Sequence, residues 1–118
     1  MRVAKLIDPA RVERAVGYAA VFLAGWPGVR RVWLFGGAAK GRRLDWRSDL
    51  DFAVEGMEAG DLGRAWSELD QVVDLPVDLV RWESAGPALR AQIGEWGRLL
   101  YEERRDGEAV GEPAVAGR

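Results

Sequence analysis

The stretch "LFGGAAKGRRLDWRSDLDFAV" (residues 34–54) puts a glycine pair at the end of one apolar run and two aspartates, one residue apart, at the start of the next. In "DLDFAVEG" the residues alternate, so that Leu50, Phe52 and Val54 share one face of a strand while Asp49, Asp51 and Ala53 share the other. The apolar face is core, which leaves the carboxylates on the opposite side. Two aspartates at that spacing stand about 7 Å apart, and at an effective dielectric near 20 they repel by about 2 kcal/mol. Aspartate is also disfavoured in strands. A divalent cation bridging the pair would offset both costs, although an Asp-x-Asp taken alone is better explained by carboxylates pointing into water from an exposed face. Asp78 shifts that balance. It lies in "PVDLV" between valine and leucine, out of character for a buried strand. Glu55 and Asp74 are weaker candidates, placed at a strand end and in the turn before Pro76, where solvated surface accounts for them.

The glycines narrow the choice further. Gly36, four residues and Gly41 resemble a Walker loop, yet Arg42 and Arg43 stand where its Lys-Ser/Thr is required. The three-glycine spacing of a dinucleotide fingerprint is absent as well. What remains is a tight Gly36-Gly37 turn after a strand, either a simple positive-φ turn or one whose bare backbone N–H groups approach a phosphate. Lys40, Arg42, Arg43 and Arg47 crowd the loop that follows. Without exposed aromatics interleaved among them at regular spacing, that loop reads as solvated rather than as an RNA contact.

Outward from this stretch the chain reads as helix, strand, strand, helix, strand, helix, strand. Asp8 and Pro9 open a helix running to about Gly25. Its second half, "AVGYAAVFLAGW", is apolar on nearly every face, so it is either packed on two sides within the domain or covered by a second chain, a homo-oligomer included. "VRRVWLFG" is a strand, Leu62, Trp66 and Leu69 recur at helical spacing, and "LPVDLVRW" is the third strand. Gly86 and Pro87 open a helix with Leu89, Ile93 and Trp96 as its stripe and Gly97 at its end, and "RLLYE" supplies a last strand. The expected fold is α/β (α+β), a small mixed sheet with helices packed mainly on one face. Residues 1–103 form the domain, and 104–118, without periodicity, read as a mobile tail.

Composition agrees with one small domain: 118 residues, 48% hydrophobic, 31% charged, net charge −2. The chain contains no cysteine and no histidine. Disulfides, thiolate or imidazole metal sites, and Ser-His-Asp catalysis are therefore excluded, and a bound metal would be a hard cation held by oxygens, Mg²⁺ or Mn²⁺. No signal peptide or membrane span is expected, so the cytoplasm is the default location.

Together, "LFGG", "SDLDFAV" and "VDLV" resemble the signature of the DNA polymerase β-like nucleotidyltransferase superfamily, and the short length is similar to its minimal nucleotidyltransferases. The resemblance runs from about Lys5 to Glu103. It implies that Gly36, Gly37 and Lys40 hold the triphosphate of ATP or another NTP. It further implies that Asp49, Asp51 and Asp78 are the catalytic carboxylates, binding two Mg²⁺ ions for attack on the α-phosphate. Minimal members commonly pair as antitoxins with helical HEPN toxins and transfer AMP to a partner tyrosine, so the implied function is a protein adenylyltransferase. The alternative is a nucleotidyltransferase-fold module that neutralises a HEPN partner by contact alone. This chain departs from the pattern at Gly37, where minimal members carry serine, at Ala38 and Lys40, where arginines are expected, and in a loop one residue longer before Asp49.

Overall fold

A computed structural model describes residues 5–104; all of the tail expected beyond Arg104 lies outside the described residues. Asp8 caps the first helix, α1 (Pro9–Ala24), by accepting the Ala10 N–H at 3.0 Å, with proline in the first turn where its missing donor costs nothing. β1 (Arg31–Phe35) follows, and a four-residue helix, α2 (Gly36–Ala39), begins directly at its end. β2 (Leu50–Glu55) leads through a 3₁₀ turn at Ala59–Asp61 to α3 (Leu62–Val72) and then β3 (Val77–Arg81). A second 3₁₀ turn, Trp82–Ser84, precedes α4 (Pro87–Trp96) and β4 (Arg98–Glu102).

The four strands form one sheet in the order β3-β2-β1-β4. β1 runs antiparallel to both β2 and β4, whereas β2 and β3 are parallel, joined by the crossover that contains α3. This is the mixed sheet expected from the sequence. Period-2 burial splits it into two faces. Val32, Leu34, Leu50, Phe52, Val54 and Leu79 are almost fully buried beneath α1 and α3, which contribute Val16, Ala19, Leu23, Ala65 and Leu69 to the same cluster. On the opposite face α4 and the Trp82–Ser84 turn supply cover: Ile93 packs on Phe35 and Ala53 with Leu89 and Val80 around them, and the Trp82 ring stacks on Trp33 with centroids 4.8 Å apart. Two helices on one face and one on the other leave part of the second face open.

Two elements differ from the sequence expectation. α1 departs from the first of its two readings, packing on two sides within the domain: Ala15, Val16, Ala19 and Leu23 face the sheet, while Tyr18 and Val21 are 62% and 76% exposed on the face that the second reading gives to another chain. Small alanines make the helix look uniformly apolar, yet only one face has the large side chains that meet a core. In α4, Ile93 is buried but Trp96, the third member of the expected stripe, is 52% exposed. Trp66 of α3 is partly exposed and donates its indole N–H to the Val77 carbonyl at 3.1 Å, tying the helix to the edge strand. Among the described residues no helix is long and apolar enough to cross a membrane.

Candidate functional site

Parallel pairing of β2 with β3 sets the geometry. In its register Leu50 faces Val77, Asp51 faces Asp78 and Phe52 faces Leu79. Because the valine and the leucines are held in the core, both aspartates are forced onto the opposite face as immediate neighbours on adjacent strands, a spacing of about 5 Å between backbones. Both are half-buried. Antiparallel pairing places Phe35, the last residue of β1, on the other side of Asp51. Asp49 lies one residue before β2 and is exposed, at the rim of the pair.

The carboxylates feel one another. Burial pushes the Asp51 carboxyl up to about 6, and the charges of Asp78 and Asp49 push in the same direction. Among the described residues, no three acidic side chains are gathered tightly enough to hold an ion in this arrangement. The donor set nonetheless suits a hard cation: it is all oxygen, two of its members are paired across strands, and their mutual repulsion is what a divalent charge relieves. Were an ion to bind here, Asp51 and Asp78 would hold it, with Asp49 as a further donor at the rim.

Gly36 completes the site from β1. Its φ is +76°, and a Cβ built there would overlap the Asp51 carboxylate. Any side chain at this position would be strained and would also displace the acid. The N–H groups of Lys40 and Arg42 return to the carbonyls of Gly36 and Gly37 at 3.2 and 3.0 Å, closing α2 into a compact turn. Gly37 is under no such constraint, because the nearest atoms to an added Cβ are Arg42 Cδ at 3.7 Å and Leu44 Cδ2 at 3.9 Å.

The basic loop divides. Arg47 bonds to Asp45 within its own turn at 3.3 Å, Ser48 donates to the same Asp45 carboxylate, and that carboxylate also accepts the Arg47 backbone N–H. The backbone bond chiefly holds the Asp45 carboxyl below its usual range. Lys40 instead places its ammonium 5.6 Å from the centroid of the Trp96 ring. Glu55 joins Arg30 and Arg31 at the far end of β2, and Asp74 pairs with Arg11 on α1, so neither weaker candidate reaches the acidic pair. Sequence reasoning missed the contact between Lys40 and Trp96, because the spacing of Trp96 from Leu89 and Ile93 signals packing and gives no hint of Lys40.

The domain family described as polymerase beta nucleotidyltransferase matches residues 20–106. No curated protein matches the chain. Among solved structures, a protein provisionally assigned as a minimal nucleotidyltransferase is 29% identical, with 78% of this chain and 95% of that one covered and a TM-score of 0.63. A chain of a toxin-antitoxin complex solved with AMP-PNP is 22% identical, covering 85% of this chain and 77% of its own, at a TM-score of 0.60. A complex of a tri-AMPylated Shewanella oneidensis HEPN toxin with its MNT antitoxin matches at 21% identity, 80% and 69% coverage and a TM-score of 0.52. The last two likenesses are of fold.

Proposed function

The chain belongs to the polymerase β nucleotidyltransferase family, and on that premise we propose that it transfers a nucleoside monophosphate, AMP from ATP, to a hydroxyl on a HEPN-type partner protein as an antitoxin. The observation that carries this reading is the side-by-side placement of Asp51 and Asp78, with Gly36 held bare against Asp51. AMP-PNP in one structural neighbour and AMPylated toxin in another support the choice of nucleotide and acceptor.

In this reading Asp49, Asp51 and Asp78 hold the divalent ions, Mg²⁺ or Mn²⁺, which when bound neutralise the triphosphate charge. Gly36 and Gly37 let the backbone of the turn approach the β- and γ-phosphates, and Lys40 adds a cation there. The acceptor oxygen bonds to the α-phosphorus as the bond from that phosphorus to the bridging oxygen breaks. Pyrophosphate leaves, and the hydroxyl proton passes to the carboxylate pair. Little covalent work falls to the protein; alignment and charge compensation do the rest.

The test is transfer of label from α-labelled ATP with Mg²⁺ to a HEPN protein that co-purifies with this chain. The wild type is expected to label it, and Asp51→Asn and Asp78→Asn to leave it unlabelled. Undiminished labelling by either variant would overturn the mechanism. An unlabelled partner that is still bound and silenced by both variants would favour neutralisation by contact.

A further inference from the structure

α4 ends in an aromatic side chain that the core does not use. Ile93 fills the space over Phe35 and Ala53, whereas Trp96, three residues on, is half in solvent. What rests against its ring is Lys40. That lysine closes α2, and its N–H returns to the carbonyl of Gly36, so the cation springs from the same turn that abuts Asp51. Its neighbours in the loop are held differently. Arg47 is committed to the carboxylate of Asp45, and Arg42 and Arg43 have no side-chain hydrogen bond or ion pair among the described residues.

The kind of restraint matters for what a cation can do next. A carboxylate would fix Lys40 by cancelling its charge. An aromatic face fixes it through the ring quadrupole and leaves the full positive charge available to an anion. Lysine is otherwise a flexible, strongly hydrated point charge, and ordering it at the moment of binding costs side-chain entropy. An exposed tryptophan that holds the ammonium before ligand arrives removes part of that cost.

We propose that Trp96 is a positioning residue for the triphosphate: its ring holds Lys40 Nζ, still charged, beside the Gly36-Gly37 turn. This rests on the nucleotidyltransferase reading above and adds a residue to it from α4, outside the glycine turn and the acidic strands. The packing alternative makes Trp96 a lid over the end of α4, in which case its loss would alter stability and nothing else.

Direct binding of ATP with Mg²⁺, measured by titration calorimetry on the full chain, separates the two. Trp96→Leu is expected to weaken binding about two- to fivefold, the range an exposed cation–π contact carries, while Trp96→Phe stays within about twofold of the wild type. With Lys40→Met already in place, Trp96→Leu should produce no further loss. Thermal midpoints of all variants report folding separately. The proposal is overturned if Trp96→Leu binds like the wild type, or if it costs as much with Lys40→Met as without it. Either result leaves the parent reading standing, whereas a wild type that does not bind ATP with Mg²⁺ removes both.

Discussion

Replacing Asp51 by asparagine should make the metal-free protein more stable at neutral pH, and the gain should vanish in acid. The reason is the crowding of Asp51, whose carboxyl is pushed from 3.8 up to about 6 by burial and by the charges of Asp78 and Asp49. A group whose folded value lies above its unfolded value favours folding while it is protonated. That contribution is complete below about pH 4, is lost as pH rises to about 6, and stays lost above. Two units correspond to a ceiling of about 3 kcal/mol, and because the side chain is only half-buried, solvent screening brings this to about 1–2 kcal/mol. Asparagine has the same shape and does not titrate. Urea unfolding in EDTA at steps from about pH 4 to about pH 8 should therefore show the variant gaining on the wild type across the lower half of the range, then running parallel. At this chain length the plateau amounts to about 4–8 °C in Tm. Excess Mg²⁺ at pH 8 should stabilise the wild type more than the variant. A stability difference that is flat with pH, or a variant weaker than the wild type at pH 8 without metal, would refute the crowding.

The two glycines of the turn should behave differently. Gly36→Ala forces a side chain into positive φ and against Asp51, so it is expected to lower stability by about 1–2 kcal/mol in urea unfolding and to weaken binding of ATP with Mg²⁺ by calorimetry. Gly37→Ser meets neighbours only at ordinary contact distances and should stay within about 0.5 kcal/mol of the wild type in the same unfolding experiment. Phe52, fully buried between the helices and the sheet, should cost about 3–5 kcal/mol when cut to alanine, with Asp51 displaced as its strand loosens. Denaturant melts and calorimetry on that variant check both effects.

What the sequence could convey depended on the range of each interaction. Asp8-Pro9, Gly86-Pro87 and Gly97 are local signals, and the helices they bound appear where those signals stand. Alternation in "LDFAVE" likewise predicted which side of β2 is core. α2 was not legible, because Gly-Gly-Ala-Ala is too short to show a helical period and its shape comes from the carbonyls that Lys40, Gly41 and Arg42 find. The neighbourhood of Asp51 and Asp78 was legible only as a possibility. Each sits on a strand by local pattern, but their adjacency depends on which strands pair and in which direction, information spread over the crossover between them. Exposure of Tyr18 and Trp96 was hidden for a related reason: hydropathy reports what a side chain prefers, and the tertiary fold decides how much cover it receives.

The single parallel pairing in an otherwise antiparallel sheet bears on when this site comes into being. β1 and β2 meet through a nearby loop, whereas Asp78 reaches its place beside Asp51 by way of the crossover that contains α3. A ribosome-bound chain that stops short of Val77 carries the glycine turn, Asp49 and Asp51, but lacks the acid that pairs with Asp51 across the strands. A slip of β3 by one residue would rotate Asp78 into the core and Val77 or Leu79 toward solvent, so core burial proofreads the acid pair. Assembly of the paired acids is thus coupled to completion of the fold.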